Sequence, residues 1–172
     1  MNEKRQDIIA VAAELFDKFV NIPKSVRPDD NKRTGIQVLV LEPHTRNLVM
    51  VSIKEPSEAA KFFVVEKAVR SEELSHMSSA NSAHPPFMQF PGSLSVFLNE
   101  LPGHNNKLEE GVLTVSTSGL LSEEDVAISA AILAKITGAS FAQICDSVDA
   151  FSGELPDWYN KDSRSYFDFL FE

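Results

Sequence analysis

Cysteine occurs once in the 172 residues, as Cys145, so no disulfide can close within the chain and nothing in it depends on an oxidising compartment. Glycine is scarce, at seven residues, and none falls into a G-x-G-x-x-G fingerprint, a glycine-rich phosphate loop or a G-x-S-x-G elbow. That removes the local signatures of dinucleotide binding, nucleotide phosphate binding and α/β-hydrolase chemistry. Long apolar runs are missing too. After Lys4 and Arg5 the apolar stretch is broken by Glu14, Asp17 and Lys18, so no signal-peptide core forms. No stretch approaches the roughly 20 consecutive apolar residues of a membrane-spanning helix. Basic residues are outnumbered, 16 Lys and Arg against 25 Asp and Glu, for a net charge of −9. Nucleic-acid backbones and anionic membrane surfaces reward clustered cations and repel such a chain. The expectation is a soluble cytoplasmic protein with neither a nucleic-acid nor a membrane partner.

The composition, 43% hydrophobic and 24% charged, is that of a globular domain with a sizeable core. Ile8, Ile9, Ala12, Leu15, Phe16 and Phe19 share one helical face, and this first helix should end near Asn21, before Pro23. Arg27 to Arg33 reads as a polar loop. Two runs rich in Val, Ile and Leu, Ile36 to Leu41 and Leu48 to Ile53, form a hairpin. Their near-uniform apolarity predicts a sheet covered by helices on both faces. A second helix starts after Pro56 with Ser57 as N-cap and runs toward Leu74, its apolar face crowded by Phe62 and Phe63. A turn-prone loop from Ser78 to Pro86 follows. Phe87 to Phe90, Leu94 to Leu98 and Val112 to Thr117 read as three further strands.

Ser122 with Asp125 three residues later suggests a capping box for a third helix reaching Ile136, closed by Gly138. Phe141, Ile144, Cys145, Val148 and Phe151 predict a fourth, with Cys145 as core filler. The segment after Pro156 carries Trp158, Tyr159, Tyr166, Phe167, Phe169 and Phe171, an aromatic load that needs cover. The expected fold class is α+β: a central, mainly antiparallel five-stranded sheet flanked by helices in the order α-β-β-α-β-β-β-α, with an extra C-terminal helix and aromatic tail. Residues 1–137 form the domain. Residues 138–172 pack on it or on a neighbouring subunit.

This order of elements, the Glu66-Lys67-Ala68 of the second helix and the strand Gly111 to Gly119 ending in Ser118-Gly119 before an acidic helix start resemble the GlcG/HbpS-like family, annotated in part as haem-binding or haem-degrading. The resemblance covers residues 5–137. It departs at the hairpin turn, where Glu42-Pro43 stands in place of an Asp and a glycine-rich turn, and at Pro91-Gly92, where paired glycines are usual. It implies a domain that assembles into homo-oligomers and, in some members, binds haem or a corrinoid.

Four histidines, His44, His76, His84 and His104, all fall in or beside expected loops. As exposed loop residues they need no function. His76 and His84, with Met77 and Met88 nearby, offer an axial haem ligand. Lys67 reads either as a solvated lysine beside Glu66, Glu72 and Glu73 or as a partner for a propionate or phosphate. Ser118 and Gly119 sit at a strand-to-helix junction where backbone donors can hold an anion or merely cap the helix. The expected ligand-binding residues are thus Lys67, His76, Met77, His84, Met88, Ser118 and Gly119. No metal site and no catalytic group stands out. The functional expectation is an oligomeric small-ligand-binding protein for haem or a related tetrapyrrole; the alternative is a non-catalytic assembly module whose contacts are made by protein.

Overall fold

The structure, a computed structural model, describes residues 2–23, 33–42, 47–73, 92–98, 101 and 111–152. In chain order these form α1 (Asn2–Val20), β1 (Gly35–Leu41), β2 (Leu48–Lys54), α2 (Glu58–Glu73), β3 (Ser93–Phe97), β4 (Val112–Ser118), α3 (Ser122–Thr137) and α4 (Phe141–Ser152). The fold is α+β, and the described sheet has four strands in the order β2-β1-β4-β3, each pair antiparallel. The expected strand Phe87–Phe90 and the aromatic tail beyond Pro156 lie outside the described residues.

Local chemistry explains where the elements start and stop. The β1–β2 hairpin pairs Gly35 with Lys54 through Leu41 with Leu48. At its turn the Glu42 N–H donates to the Asn47 carbonyl at 3.0 Å. Ser57 caps α2 by accepting from the Ala60 N–H at 3.1 Å, the contact a serine N-cap makes best. Gly138 ends α3 in the left-handed region, φ 77°, with its N–H on the Ala134 carbonyl, where any other residue would be strained. Ser140 and Gln143 close α4 with reciprocal side-chain-to-backbone bonds of 2.8 and 3.1 Å.

The two faces of the sheet are chemically different. One receives Ile36, Val38 and Val40 of β1, Val51 and Ile53 of β2, Leu94 and Val96 of β3, and Leu113 and Val115 of β4, against Phe16 and Phe19 of α1 and Ile128 and Leu133 of α3. This is the main core; Ile144 and Cys145 of α4 close one side of it. Burial pushes the Cys145 thiol pKa up, and neighbouring Asp146 adds to the shift, so the residue is filler, as expected. The other face, under α2, has only Leu39, Val64 and Ala68 as a buried apolar cluster. Its strand residues are Gln37, Ser93, Ser95, Thr114, Ser116 and Ser118, all buried.

Most of these side chains bond one another or a backbone carbonyl. Ser71 of α2 lies 2.8 Å from Ser95, which lies 2.7 Å from its cross-strand neighbour Thr114. Ser116 donates to the Val64 carbonyl of α2 at 2.7 Å. Gln37 donates to the Val51 carbonyl at 2.9 Å and accepts from Ser52 at 2.8 Å. Buried polar groups left without partners would cost roughly 1–3 kcal/mol each, so this layer holds only as a complete set.

Burial on both faces, expected for both hairpin strands, holds for β1 and not for β2. β1 is buried along nearly its whole length. In β2 only Val51 and Ile53 are buried, on the α1 side, while Leu48 and Met50 stay exposed. Among the described residues no single helix is long and apolar enough to cross a membrane.

Candidate functional site

Lys67 is neither solvated nor offered to a ligand. Its side chain is 2% exposed, with its ammonium 2.9 Å from Asp125 Oδ2 and 3.1 Å from the Thr117 carbonyl oxygen, to which it donates. Asp125, 3% exposed, belongs to α3 on the opposite side of the sheet. The lysine therefore passes the end of the sheet to tie the two helical layers together.

Gly92 makes that passage possible. Its φ is 148°, and a Cβ there would lie 2.5 Å from the Thr117 carbonyl oxygen and 2.6 Å from the Lys67 ammonium. Only a residue without a side chain leaves room for both. The Gly92 carbonyl accepts from the Thr117 N–H at 2.8 Å and from the Ser129 hydroxyl of α3 at 2.8 Å. Ser129 Oγ is also 2.9 Å from Thr117 Oγ1. Lys67, Gly92, Thr117, Asp125 and Ser129 thus form one buried polar knot.

The Ser118-Gly119 junction borders this knot, so the structure does bring Lys67 and that junction together. Two of that junction's backbone donors are already taken. The Leu120 N–H donates to Asp125 Oδ1 at 3.0 Å and the Leu121 N–H to Glu124 Oε2 at 3.2 Å. Both are held by the chain's own buried carboxylates. The N-cap is Leu121 rather than Ser122, so the expected Ser122–Asp125 box does not form; Glu124, three residues after Leu121, accepts from the Leu121 N–H instead.

Glu66, expected beside Lys67, pairs with Arg70 instead, through Nε to Oε1 at 2.6 Å and Nη2 to Oε2 at 2.9 Å. His76, Met77, His84 and Met88, like His44 and His104, lie outside the described residues. Among the described residues no group of three His, Cys, Asp or Glu side chains could hold a metal ion. A groove of about 570 Å³ runs between α1, α3 and α4, lined by Val11, Leu15, Ala131, Ala134 and Phe141 with Glu14, Lys18 and Lys135 also along it. Of the expected ligand residues, the described ones, Lys67, Ser118 and Gly119, do not line it, and Glu14 and Lys18 pair with each other at 2.8 Å.

No family model, curated protein or solved structure matches this chain. The chemistry must be read from the molecule itself.

The feature that stands out is the outer side of α2. Phe62, Val65 and Val69, at i, i+3 and i+7, are 68, 41 and 48% exposed. The residues this helix turns to the sheet are Ala60, Val64, Lys67, Ala68 and Ser71. Phe62 points to water while Lys67, one of the helix's two lysines, points inward. Beside it, Leu48 and Met50 of β2 are 51 and 39% exposed, because α2 covers β1, β4 and β3 but not β2. The sequence pattern placed Phe62 and Phe63 on the apolar face of this helix without showing that Phe62 stays outside. The available signal was the alternation of Ser and Thr with Leu and Val in Ser93–Phe97 and Val112–Ser118, which marks one sheet face as polar.

Proposed function

We propose that this chain is a non-catalytic protein–protein assembly module that docks through the outer side of α2 and the uncovered strand β2. The observation that carries this reading is the ordered apolar stripe of exposed Phe62, Val65 and Val69 on a helix whose buried face is made of the small residues Ala60, Val64, Ala68 and Ser71 with Lys67. Contiguous exposed apolar surface of this kind marks interaction sites on soluble domains. The buried knot supports the non-catalytic part: its lysine and carboxylate are sealed from substrate and spent on each other.

The test is a photo-cross-linking benzophenone amino acid placed at position 62 in the full chain, with position 5 on exposed α1 as control. A protein adduct at 62 that is absent at 5 is the expected result. Equal or no labelling at the two positions would remove the docking reading. The tetrapyrrole-binding reading rests on His76, Met77, His84 and Met88, since Lys67 and Ser118 are turned inward. A saturable Soret shift on titration with hemin, lost when His76 and His84 are both changed to Ala, would restore it over the assembly reading.

A further inference from the structure

α2 is held to the sheet by a different kind of contact from the other helices. The main core takes Phe16 and Phe19 from α1, Ile128 and Leu133 from α3 and Ile144 from α4, and no buried residue of α2 belongs to it. The buried apolar side chains of α2 are Ala60, Val64 and Ala68, the last two clustered with Leu39 of β1. The rest of its attachment is polar. Ser71 meets Ser95, the Val64 carbonyl accepts from Ser116, and Lys67 reaches Asp125 and the Thr117 carbonyl.

The two kinds of contact fare differently when a helix lifts. Apolar burial is lost outright, because water offers nothing in its place. A hydroxyl that leaves a protein partner finds water instead, so the net cost of that exchange is small. For a buried ion pair, desolvation offsets much of the mutual attraction, and returning both charges to water together changes little. The surface bared beneath α2 carries Gln37, Ser95, Thr114 and Ser116, side chains that water solvates. Lifting α1 or α3 would instead bare Ile36, Val38, Leu94 and Val115. We infer that α2 is a detachable helix, which leaves the sheet as a unit while α1, α3, α4 and the strands stay folded, and which the Lys67–Asp125 pair returns to one seat. Segments held by few apolar contacts open below the stability of the whole domain. The exposed stripe of Phe62, Val65 and Val69 travels with α2, whereas Leu48 and Met50 stay on β2. On the docking reading, seating therefore regulates the site, whose two halves are neighbours only while α2 is down. Detachment itself follows from the contacts under the helix and stands without that reading.

Ser71→Cys on the helix and Ser116→Cys on the strand beneath it, made separately in the full chain, put near-isosteric thiols on the two sides of this contact. Cys145, in the main core, times global unfolding in the same molecule. With iodoacetamide at pH 8 the two new thiols should react at one common rate, at least about 100-fold faster than Cys145. That rate should barely change in low urea while the Cys145 rate climbs steeply, since sensitivity to denaturant scales with the surface exposed. Thiols at 71 and 116 that react no faster than Cys145, or that share its urea dependence, mean that α2 leaves only when the whole domain unfolds, and overturn the proposal. One fast and one slow thiol means local fraying and overturns it too. The unmodified chain gives an independent reading, because a detached helix of this length is marginal in water and melts. Trypsin should then cut after Lys67, buried in the seated helix, before Cys145 becomes reactive; the reverse order overturns detachment. The adduct at position 62 tests docking separately, so either inference can fail alone.

Discussion

Lys67→Met keeps the length and most of the volume of the side chain while deleting its charge and both of its hydrogen bonds. What remains is the Asp125 carboxylate, buried at the start of α3, with the Leu120 N–H as the donor on its other oxygen. Removing one member of a buried ion pair costs about 3–5 kcal/mol, because the survivor is a charge out of water without its partner. For a chain of this length each kcal/mol shifts Tm by about 2–4 °C, so the midpoint should fall by about 6–20 °C. Urea denaturation followed by circular dichroism gives the free energy directly. Two further arms separate the cause from lost packing. Adding Asp125→Asn to Lys67→Met should recover at least half of the loss, since the amide oxygen still accepts from Leu120 N–H and no net charge remains buried. Raising salt to molar levels should leave the wild-type minus Lys67→Met difference unchanged, because buried pairs are screened little. A loss below about 1 kcal/mol, the value of an exposed pair, would refute the reasoning and place the Lys67 ammonium in water.

Three other outcomes follow from the same contacts. Gly92→Ala should cost roughly 1–3 kcal/mol in backbone strain and more from displacing the Lys67 ammonium, so its effect should be smaller in the Lys67→Met background than in the native chain; additive losses in a double-mutant cycle would argue against the contact. Ser95→Ala should destabilise by roughly 1–3 kcal/mol, since it removes the hydroxyl that Thr114 bonds and one contact of Ser71, whereas the combined Ser71→Ala, Ser95→Ala and Thr114→Val variant should lose less than the sum of the three single changes. Iodoacetamide at pH 8 should modify Cys145 only at the rate of unfolding. Because burial holds that thiol protonated in the folded chain, the unfolded thiol ionises first: its contribution to stability is complete below the ordinary thiol range and falls as pH climbs through and above it. Rapid alkylation of folded protein, or a flat stability profile above pH 9, would contradict its burial.

Elements governed by neighbours in sequence were legible. The Ser57 cap, the Gly138 stop and the apolar spacing of α1 and α4 act within one or two helical turns, and the structure places those boundaries within a residue or two of where the pattern puts them. The long-range partnerships were not. Lys67 and Asp125 are 58 positions apart, and nothing local to either announces the other; Lys67 read as solvated because Glu66 stands beside it, while Glu66 in fact bonds Arg70. The face of α2 was misread for a related reason. Phe62 has the bulk of a core residue, and only the register that sets Ser95 opposite Thr114 and Ser93 opposite Ser116 shows that the surface beneath the helix wants small and polar companions. The bare strand β2 depends on where α2 lands, which no stretch of sequence states by itself.

A helix seated on oily side chains can roll or slip by a turn and still find contact. α2 has no such latitude: the Ser116 hydroxyl reaches one particular carbonyl, Val64, and the Lys67 ammonium one particular carboxylate. Its landing is keyed rather than greased, so it should come off the sheet in one piece or not at all, and native-state hydrogen exchange should show its amides opening as a single block rather than fraying from one end.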